Sequence, residues 1–270
     1  MQKILITGGL GNLGSWLTEF FVTNNYEVWV LSKNFRHLET NVKFHLIHCD
    51  IADYKDCEDK LGQMEFDYVI HAGSVNDGFV EGYAKLALEV NTLGTRNLLE
   101  LFKSKPIKNF IYFSTFQVYG KYEGTIDEET PLTPKNDYGS THLFAEYYVK
   151  QFGYSHKLPH TIFRLTNSYG CPKDYNSSKW YLVLNDLSKT AFEKKEIILK
   201  SNGQAPRDFI WMRDVCKIVQ EVVEKPATNE IYNISGERTY KMIDIANYVQ
   251  DAYKEKYGIK IPVSVNKEDK

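Results

Sequence analysis

The chain has 270 residues, of which 43% are hydrophobic and 25% charged, with a formal net charge of −2. That is enough apolar material for one large domain or two closely joined ones, and the near-neutral charge gives no electrostatic case for nucleic acid or an acidic membrane surface. The longest apolar runs, such as VWVL at 28–31, are strand-sized and too short to span a bilayer. In chain order, KILIT (3–7) reads as a strand that ends in glycines, and WLTEFFVTN (16–24) follows with helical spacing. EVWVLS (27–32), KFHLIHCD (43–50) and FDYVIHAG (66–73) read as the second to fourth strands. NTLGTRNLLELFKS (91–104) is an amphipathic helix, KNFIYFST (108–115) a fifth strand, DYGSTHLFAEYYV (137–149) the opening of a further helix, and TIFRLTN (161–167) a sixth strand. Apolar strands alternating with helices predict an α/β fold, a doubly wound parallel sheet of the Rossmann type covered on both faces.

After residue 168 the alternation becomes irregular and rich in polar and aromatic residues. This predicts a dinucleotide-binding domain over 1–167 with contributions from about 206–235, and a smaller, partly interleaved substrate-binding region over 168–205 and 236–270. MQKILITGG runs directly into a strand and a glycine turn, which is not the pattern of a signal peptide. Cys49, Cys57, Cys171 and Cys216 contain no CxxC pair, so neither a metal site nor a disulfide framework is expected, and the setting is a reducing cytoplasm. They read as unrelated packing or surface thiols.

The first chemical feature is TGGLGNLG (7–14), between a strand and a helix. Gly8, Gly11 and Gly14, with Asn12 and Leu13 between them, allow a tight turn whose backbone N–H groups approach a pyrophosphate at the helix N-terminus. At the end of the second strand, NAD-binding proteins commonly carry an acid for the adenosine ribose. Here Ser32 stands there, followed by Lys33, Asn34 and Arg36. A small hydroxyl with nearby cations suits a 2′-phosphate, so NADP is preferred to NAD; the alternative is that Lys33 and Arg36 are solvated loop charges.

The glycine spacing, STFQVYG (114–120) and a tyrosine some twenty residues later resemble the extended short-chain dehydrogenase/reductases, specifically the NAD-dependent epimerase/dehydratase branch that acts on nucleotide sugars. CDI (49–51) is similar to the family's adenine-side segment, which implies cofactor contacts by Asp50 and Ile51. HAG (71–73) is similar to its cofactor-lining strand end, implying His71, Ala72 and Gly73, and NTLGTRNLLE (91–100) to its central helix, implying Asn91. RLTNSYG (164–170) and PRDFIWMRDV (206–215) resemble substrate segments, implying Asn167 as a substrate contact and Arg207 as a diphosphate anchor. For Arg207 a structural pair with Asp208 or Asp214 remains the alternative, and for Asn167 a loop-capping amide. Lys173, Lys179, Trp180 and Tyr181 fall where relatives grip the nucleotide base, and the helices over 91–104 and 138–152 match those that pair in a homodimer.

By the same resemblance Thr115 holds the sugar oxygen and Tyr138 exchanges a proton with it while hydride moves to or from the nicotinamide. A free tyrosine titrates near 10, so a nearby cation is needed to bring it into range. The family has a lysine four residues after the tyrosine, where this chain has His142. One helical turn places His142 on the same face as Tyr138. It can bind the nicotinamide ribose as well, and if protonated it supports the phenolate with a sharp pH dependence. Lys150 lies over three turns past Tyr138, too far to substitute. Two readings follow. In one, Tyr138, Thr115 and His142 remain catalytic; in the other, the chain is a weakened or inactive protein that binds cofactor and nucleotide sugar. Phe116 and Gln117 fall among the substrate contacts, where 4,6-dehydratases carry Asp and Glu. Neither can act as acid or base, which argues for 4-keto reduction, hydroxyl oxidation or epimerisation of a nucleotide-diphosphate sugar.

Overall fold

A computed structural model of the chain describes residues 1–76, 82–121 and 123–266. Its strands are β1 (Lys3–Thr7), β2 (Glu27–Ser32), β3 (His45–His48), β4 (Tyr68–His71), β5 (Asn109–Thr115), β6 (His160–Leu165), β7 (Asn167–Tyr169), β8 (Ile197–Leu199), β9 (Pro206–Trp211), β10 (Ile231–Ile234), β11 (Thr239–Lys241) and β12 (Val263–Val265). Its α-helices are α1 (Asn12–Thr23), α2 (Tyr54–Leu61), α3 (Tyr83–Ala87), α4 (Thr95–Phe102), α5 (Asp137–His156), α6 (Val183–Lys194), α7 (Met212–Val223) and α8 (Met242–Tyr257). Seven strands form one sheet in the order β10-β6-β5-β4-β1-β2-β3, and every neighbouring pair in it is parallel. The strand order reverses between β1 and β4, which is where a doubly wound sheet opens a crevice at its carboxyl edge.

Both faces of the sheet are buried because the strand side chains alternate. Within β1, Ile4 and Ile6 join a core with Leu17 and Phe21 of α1 and Val215 and Val219 of α7. Leu5, between them, joins the opposite core with Leu98 and Phe102 of α4 and Val149 and Phe152 of α5. A third, smaller core is built from Leu187, Ile197, Leu199, Met242 and Ile245, beyond the main sheet. There β7, β9 and β11 form a three-stranded sheet and β8 pairs with β12.

Two differences from the sequence reading bear on function. The helix expected from residue 91 begins earlier, as a π-helical segment over Leu88–Gly94 that runs into α4. Its cause is tertiary: the Asn91 amide is pulled away to the Val75 backbone and to Thr141 Oγ1, and the Thr95 hydroxyl donates to the Asn91 carbonyl at 2.6 Å. Such bulges mark places where a regular helix gives way to a local demand. The second is that Cys49 and Cys57, expected to be unrelated, pack with their sulfurs 3.6 Å apart. Hydrogen bonding to Cys57 and burial push the Cys49 thiol well above its usual range, so both are packing thiols in the core beneath Asp50. Among the described residues no His/Cys/Asp/Glu group could hold a metal and no helix is long and apolar enough to cross a membrane.

Candidate active site

The carboxyl ends of β1, β2, β4, β5 and β6 open into one cleft of about 690 Å³. Its floor is the glycine turn. Gly8 has φ +67°, and a Cβ on Gly14 would lie 2.1 Å from the Gly8 carbonyl oxygen. The turn therefore closes only without side chains there, and it delivers α1 with Gly11 as an N-cap that has no side-chain hydrogen bond and no acid in the first turn. Unsatisfied N–H groups and the positive end of the helix dipole face the cleft, as an anion such as pyrophosphate requires. We expect Gly14→Ala, which must displace the Gly8 backbone, to weaken dinucleotide binding at least about tenfold, an effect of about 1–3 kcal/mol for overpacking; calorimetric titration of NAD checks this.

At one end of the cleft the β2 terminus presents Ser32, Lys33, Asn34 and Arg36 opposite Asp50 and Ile51. The Ser32 hydroxyl donates to the Asn34 carbonyl at 2.8 Å, and the Lys33 ammonium lies 2.5 Å from the Asp50 carboxylate. Of the two cations expected beside Ser32, Lys33 is thus held by an acid, whereas Arg36 lines the cleft with no carboxylate partner among the described residues.

At the other end stand Thr115, Tyr138 and His142. Asn136 starts α5 by accepting from the Gly139 N–H at 2.8 Å. A Cβ on Gly139 would lie 2.7 Å from the Gln117 carbonyl oxygen, so glycine here lets the helix start press on the turn that follows β5. This places Tyr138 in the cleft together with Ser74 and Thr115. Burial, then the neighbouring Tyr83 phenol, pushes the Tyr138 hydroxyl up to about 12, while Ser74 and Thr115 pull the other way. The His142 ring stands edge-on to Tyr138, 4.5 Å between centroids, and burial pushes it down to about 3. The imidazole expected to carry charge part of the time near neutrality is therefore neutral there, because no carboxylate accompanies it into the interior.

His71 is pushed down to about 3 as well, by burial and then by His142. Both folded values lie below the ordinary value of about 6.5. Below that pH the unfolded chain takes up protons that the folded one refuses, so stability is full above about pH 6.5 and is lost as pH falls towards 3. Each histidine contributes a slope of about 1.4 kcal/mol per pH unit. In urea unfolding between pH 5.5 and 4, His142→Gln should reduce the measured slope by about that amount.

A match to the NAD dependent epimerase/dehydratase family covers residues 4–235. The chain belongs to this family. Its relatives include the dTDP-D-glucose 4,6-dehydratase of Dictyostelium discoideum, 29% identical over 276 residues; the match covers 92% of this chain and 62% of the relative's length. Among solved structures, the fold matches the UDP-glucose 4-epimerase of Thermus thermophilus in complex with NAD, with a TM-score of 0.83 at 23% identity, covering 97% of this chain and 85% of that one. It also matches UDP-glucuronic acid 4-epimerase from Bacillus cereus in complex with UDP-glucuronic acid and NAD, with a TM-score of 0.77 at 23% identity, covering 97% and 85%.

Of the residues expected to form this epimerase/dehydratase site, Gly8, Gly11, Asn12, Leu13, Gly14, Ser32, Lys33, Arg36, Asp50, Ile51, Ala72, Gly73, Thr115, Gln117, Tyr138, His142, Asn167 and Arg207 line the cleft. Three do not. His71 lies beneath it, its Nδ1 2.6 Å from Thr7 Oγ1 and its Nε2 2.9 Å from Thr95 Oγ1. Asn91 is buried and pins the loop after β4 through Val75. Phe116 turns inward onto Tyr119, 4.9 Å between ring centroids, because the turn after β5 offers an apolar niche with Val118 and Leu143. Towards the substrate region, Lys179 Nζ and Tyr181 Oη both donate to the Asn76 carbonyl, at 3.3 and 3.0 Å, and line the cleft. Lys173 instead pairs with Glu19 at 3.1 Å, and the Trp180 indole donates to the Tyr175 carbonyl. Ser74, which lines the cleft directly after the HAG strand end, and Tyr83, whose phenol raises Tyr138, were missed; neither belongs to a motif segment itself.

Proposed function

We propose that this chain is an NAD-dependent enzyme that reversibly oxidises a hydroxyl of a nucleotide-diphosphate sugar, in an epimerisation or a 4-keto reduction. The observation that carries this reading is the composition of the cleft. Thr115, Ser74 and Tyr138 line it together, and among the described residues lining it Asp50, opposite the end of β2, is the only carboxylate. Hydroxyl oxidation needs a group to take one proton, which a phenolate can do. Elimination of water needs an acid and a base beside the sugar, and Gln117, whose amide oxygen accepts from Asn136 at 2.8 Å, supplies neither.

In this reading Thr115 orients the reacting hydroxyl and Tyr138 takes its proton or returns it. The dinucleotide, when bound, supplies the acceptor or donor of hydride. His142 meets a ribose hydroxyl, Arg207 meets the sugar diphosphate, and Asn167, whose amide donates to the Asp208 carbonyl at 2.9 Å, fixes the strand beside it. The NADP preference drawn from Ser32 and the following cations loses support from the Lys33–Asp50 pair, and a carboxylate at this end of the cleft suits ribose hydroxyls better than a phosphate. NAD is therefore our reading. We also read the chain as a homodimer through the helical face that exposes Leu88, Leu93, Phe144 and Tyr147. Light scattering should give twice the chain mass.

The test is incubation with NAD or NADP and a panel of UDP-, dTDP-, GDP- and CDP-sugars, with products resolved by chromatography and NMR. An epimer, or a reduced 4-keto sugar when one is supplied, is expected. A 4-keto-6-deoxy product would overturn the reaction assigned to the cleft. Binding of both ligands without any turnover would favour the alternative that the neutral His142 suggests, a protein that only binds them.

A further inference from the structure

Between β7 and α6 the chain runs through residues 170–182, and two sets of contacts fasten this segment to the dinucleotide domain. On one side the Trp16 indole of α1 donates to the Cys171 carbonyl at 3.0 Å, and the Glu39 N–H donates to the Lys173 carbonyl at 2.8 Å. The Lys173 ammonium, 3.1 Å from Glu19, also lies over the Trp16 ring. On the other side Tyr181 Oη and Lys179 Nζ donate to the Asn76 carbonyl, and Lys179 donates to the Tyr181 oxygen as well, at 3.4 Å. Glu39 follows β2 and Asn76 follows β4, and in the sheet those two strands flank β1. The segment therefore crosses the carboxyl edge at the glycine turn, where the strand order reverses and where a doubly wound fold holds its dinucleotide.

The middle of the segment is cross-tied by its own bonds. The Ser177 N–H donates to the Asp174 carbonyl at 3.0 Å, the Trp180 indole to the Tyr175 carbonyl at 2.9 Å, and the Lys179 N–H to the Ser177 hydroxyl at 3.2 Å. A loop closed in this way moves as a unit. The catch it meets is firm. Val75, next to Asn76, donates to Asn91 Oδ1 at 2.8 Å and accepts from Asn91 Nδ2 at 3.2 Å, and Asn91, itself buried, also donates to Thr141 Oγ1 on α5 at 3.1 Å. The two fastenings differ in kind. On the α1 side the backbone of the segment is bonded twice. At Asn76 the described bonds come from two side chains, which let go by rotating about their own torsions and leave the backbone undisturbed. Tyr181 is 38% exposed, so water is at hand to replace its bond.

We propose that residues 170–182 form a strap over the dinucleotide cleft, rooted on α1 and latched at the Asn76 carbonyl by Tyr181 and Lys179, and that the dinucleotide enters and leaves when the latch is open. Asn76, Lys179, Tyr181 and Leu182 all line the cleft, so the latch closes its mouth rather than a remote surface. The resemblance placed Lys179 and Tyr181 in the grip on the nucleotide base; holding Asn76 is a separate role that does not depend on which base is bound. The identity of the gated ligand rests on the NAD-dependent reading proposed above. The latch itself is made of protein groups alone, so it opposes entry as much as exit.

The experiment is stopped-flow binding of NADH, followed by its fluorescence, with dissociation read by displacement with excess NAD, in the wild type, Tyr181→Phe, Lys179→Met and the double variant. Tyr181→Phe keeps the ring and removes only the latch hydroxyl, so the fold is preserved. It should raise the association and dissociation rate constants together, by about three- to tenfold, the effect of one neutral hydrogen bond, while Kd stays nearly constant. The double variant should raise both further than either single change. A faster dissociation alone, with a matching loss of affinity, would show that these side chains touch the dinucleotide directly and would overturn the latch. Unchanged rates in the double variant would overturn it too. The expected rates without turnover of any sugar would leave the latch standing and overturn the enzymatic reading, whereas a wild type that binds no NADH would overturn both.

Discussion

Tyr138→Phe should lower turnover by about 10²–10⁴-fold, the range for removing a positioned general acid or base, while NAD affinity changes little. The ring is retained, so the packing against His142 and the Ser74–Thr115 corner is preserved and only the proton acceptor is lost. Removing hydride from a carbinol carbon without removing the hydroxyl proton leaves a protonated carbonyl, and Gln117 and Thr115, which also line that end of the cleft, are not bases. Single-turnover absorbance of the nicotinamide in the variant checks this. A fall below about tenfold would mean that another group carries the proton.

The second large effect concerns what holds the site rather than what reacts. Glu146 and Arg164 are 0% and 1% exposed and form a two-pronged ion pair: Arg164 Nη2 donates to Glu146 Oε2 at 2.8 Å and Nε to Oε1 at 3.0 Å. Ser114 donates to the same carboxylate at 2.6 Å, and Arg164 Nη1 donates to the Tyr119 hydroxyl at 2.8 Å. Tyr119 in turn donates to Asn233 Oδ1 at 2.8 Å. The pair thus joins α5, β6, β5, the turn after β5 and β10, and Ser114, one of its partners, is the residue next to Thr115. Arg164→Met removes one charge and strands the other in the interior, so a loss of about 3–5 kcal/mol is expected. Glu146→Leu combined with Arg164→Met should cost much less than the sum of the single changes, because neither charge remains. Urea unfolding of the three variants measures it. Additive losses would show that the charges do not depend on one another.

The parts of this architecture legible in the sequence are those with local causes. β1 and the glycine turn follow from an apolar run and three spaced glycines and fall where expected, and helical periodicity gives the body of α1, which begins earlier than expected, at Asn12 within the glycine motif. The seventh strand, Ile231–Ile234, is too short and too polar to stand out; it exists because β6 offers it a parallel partner. Asn91, His71 and Phe116 occupy motif positions next to the cleft, yet their side chains are drawn inward by Val75, by Thr7 and Thr95, and by Tyr119. Motif position fixes the backbone, whereas the direction of a side chain depends on partners distant in sequence. The charge state of His142 was illegible for the same reason. Helical spacing places it beside Tyr138, but only the packed sheet buries it, and burial is what removes the proton.

The measurement that bears most directly on a tyrosine working beside a neutral imidazole is the pH dependence of single-turnover sugar oxidation in the wild type, His142→Gln and His142→Lys. Since the phenolate is the active form and Tyr138 is raised, the wild-type rate should climb with pH above neutrality, with no inflection between pH 5 and 7. A lysine at position 142 should move that climb down by about 1–3 pH units, the effect of a cation at 4–6 Å. A wild-type inflection between pH 6 and 7 that disappears in His142→Gln would show that a charged imidazole supports the chemistry, and would contradict a neutral ring at that position.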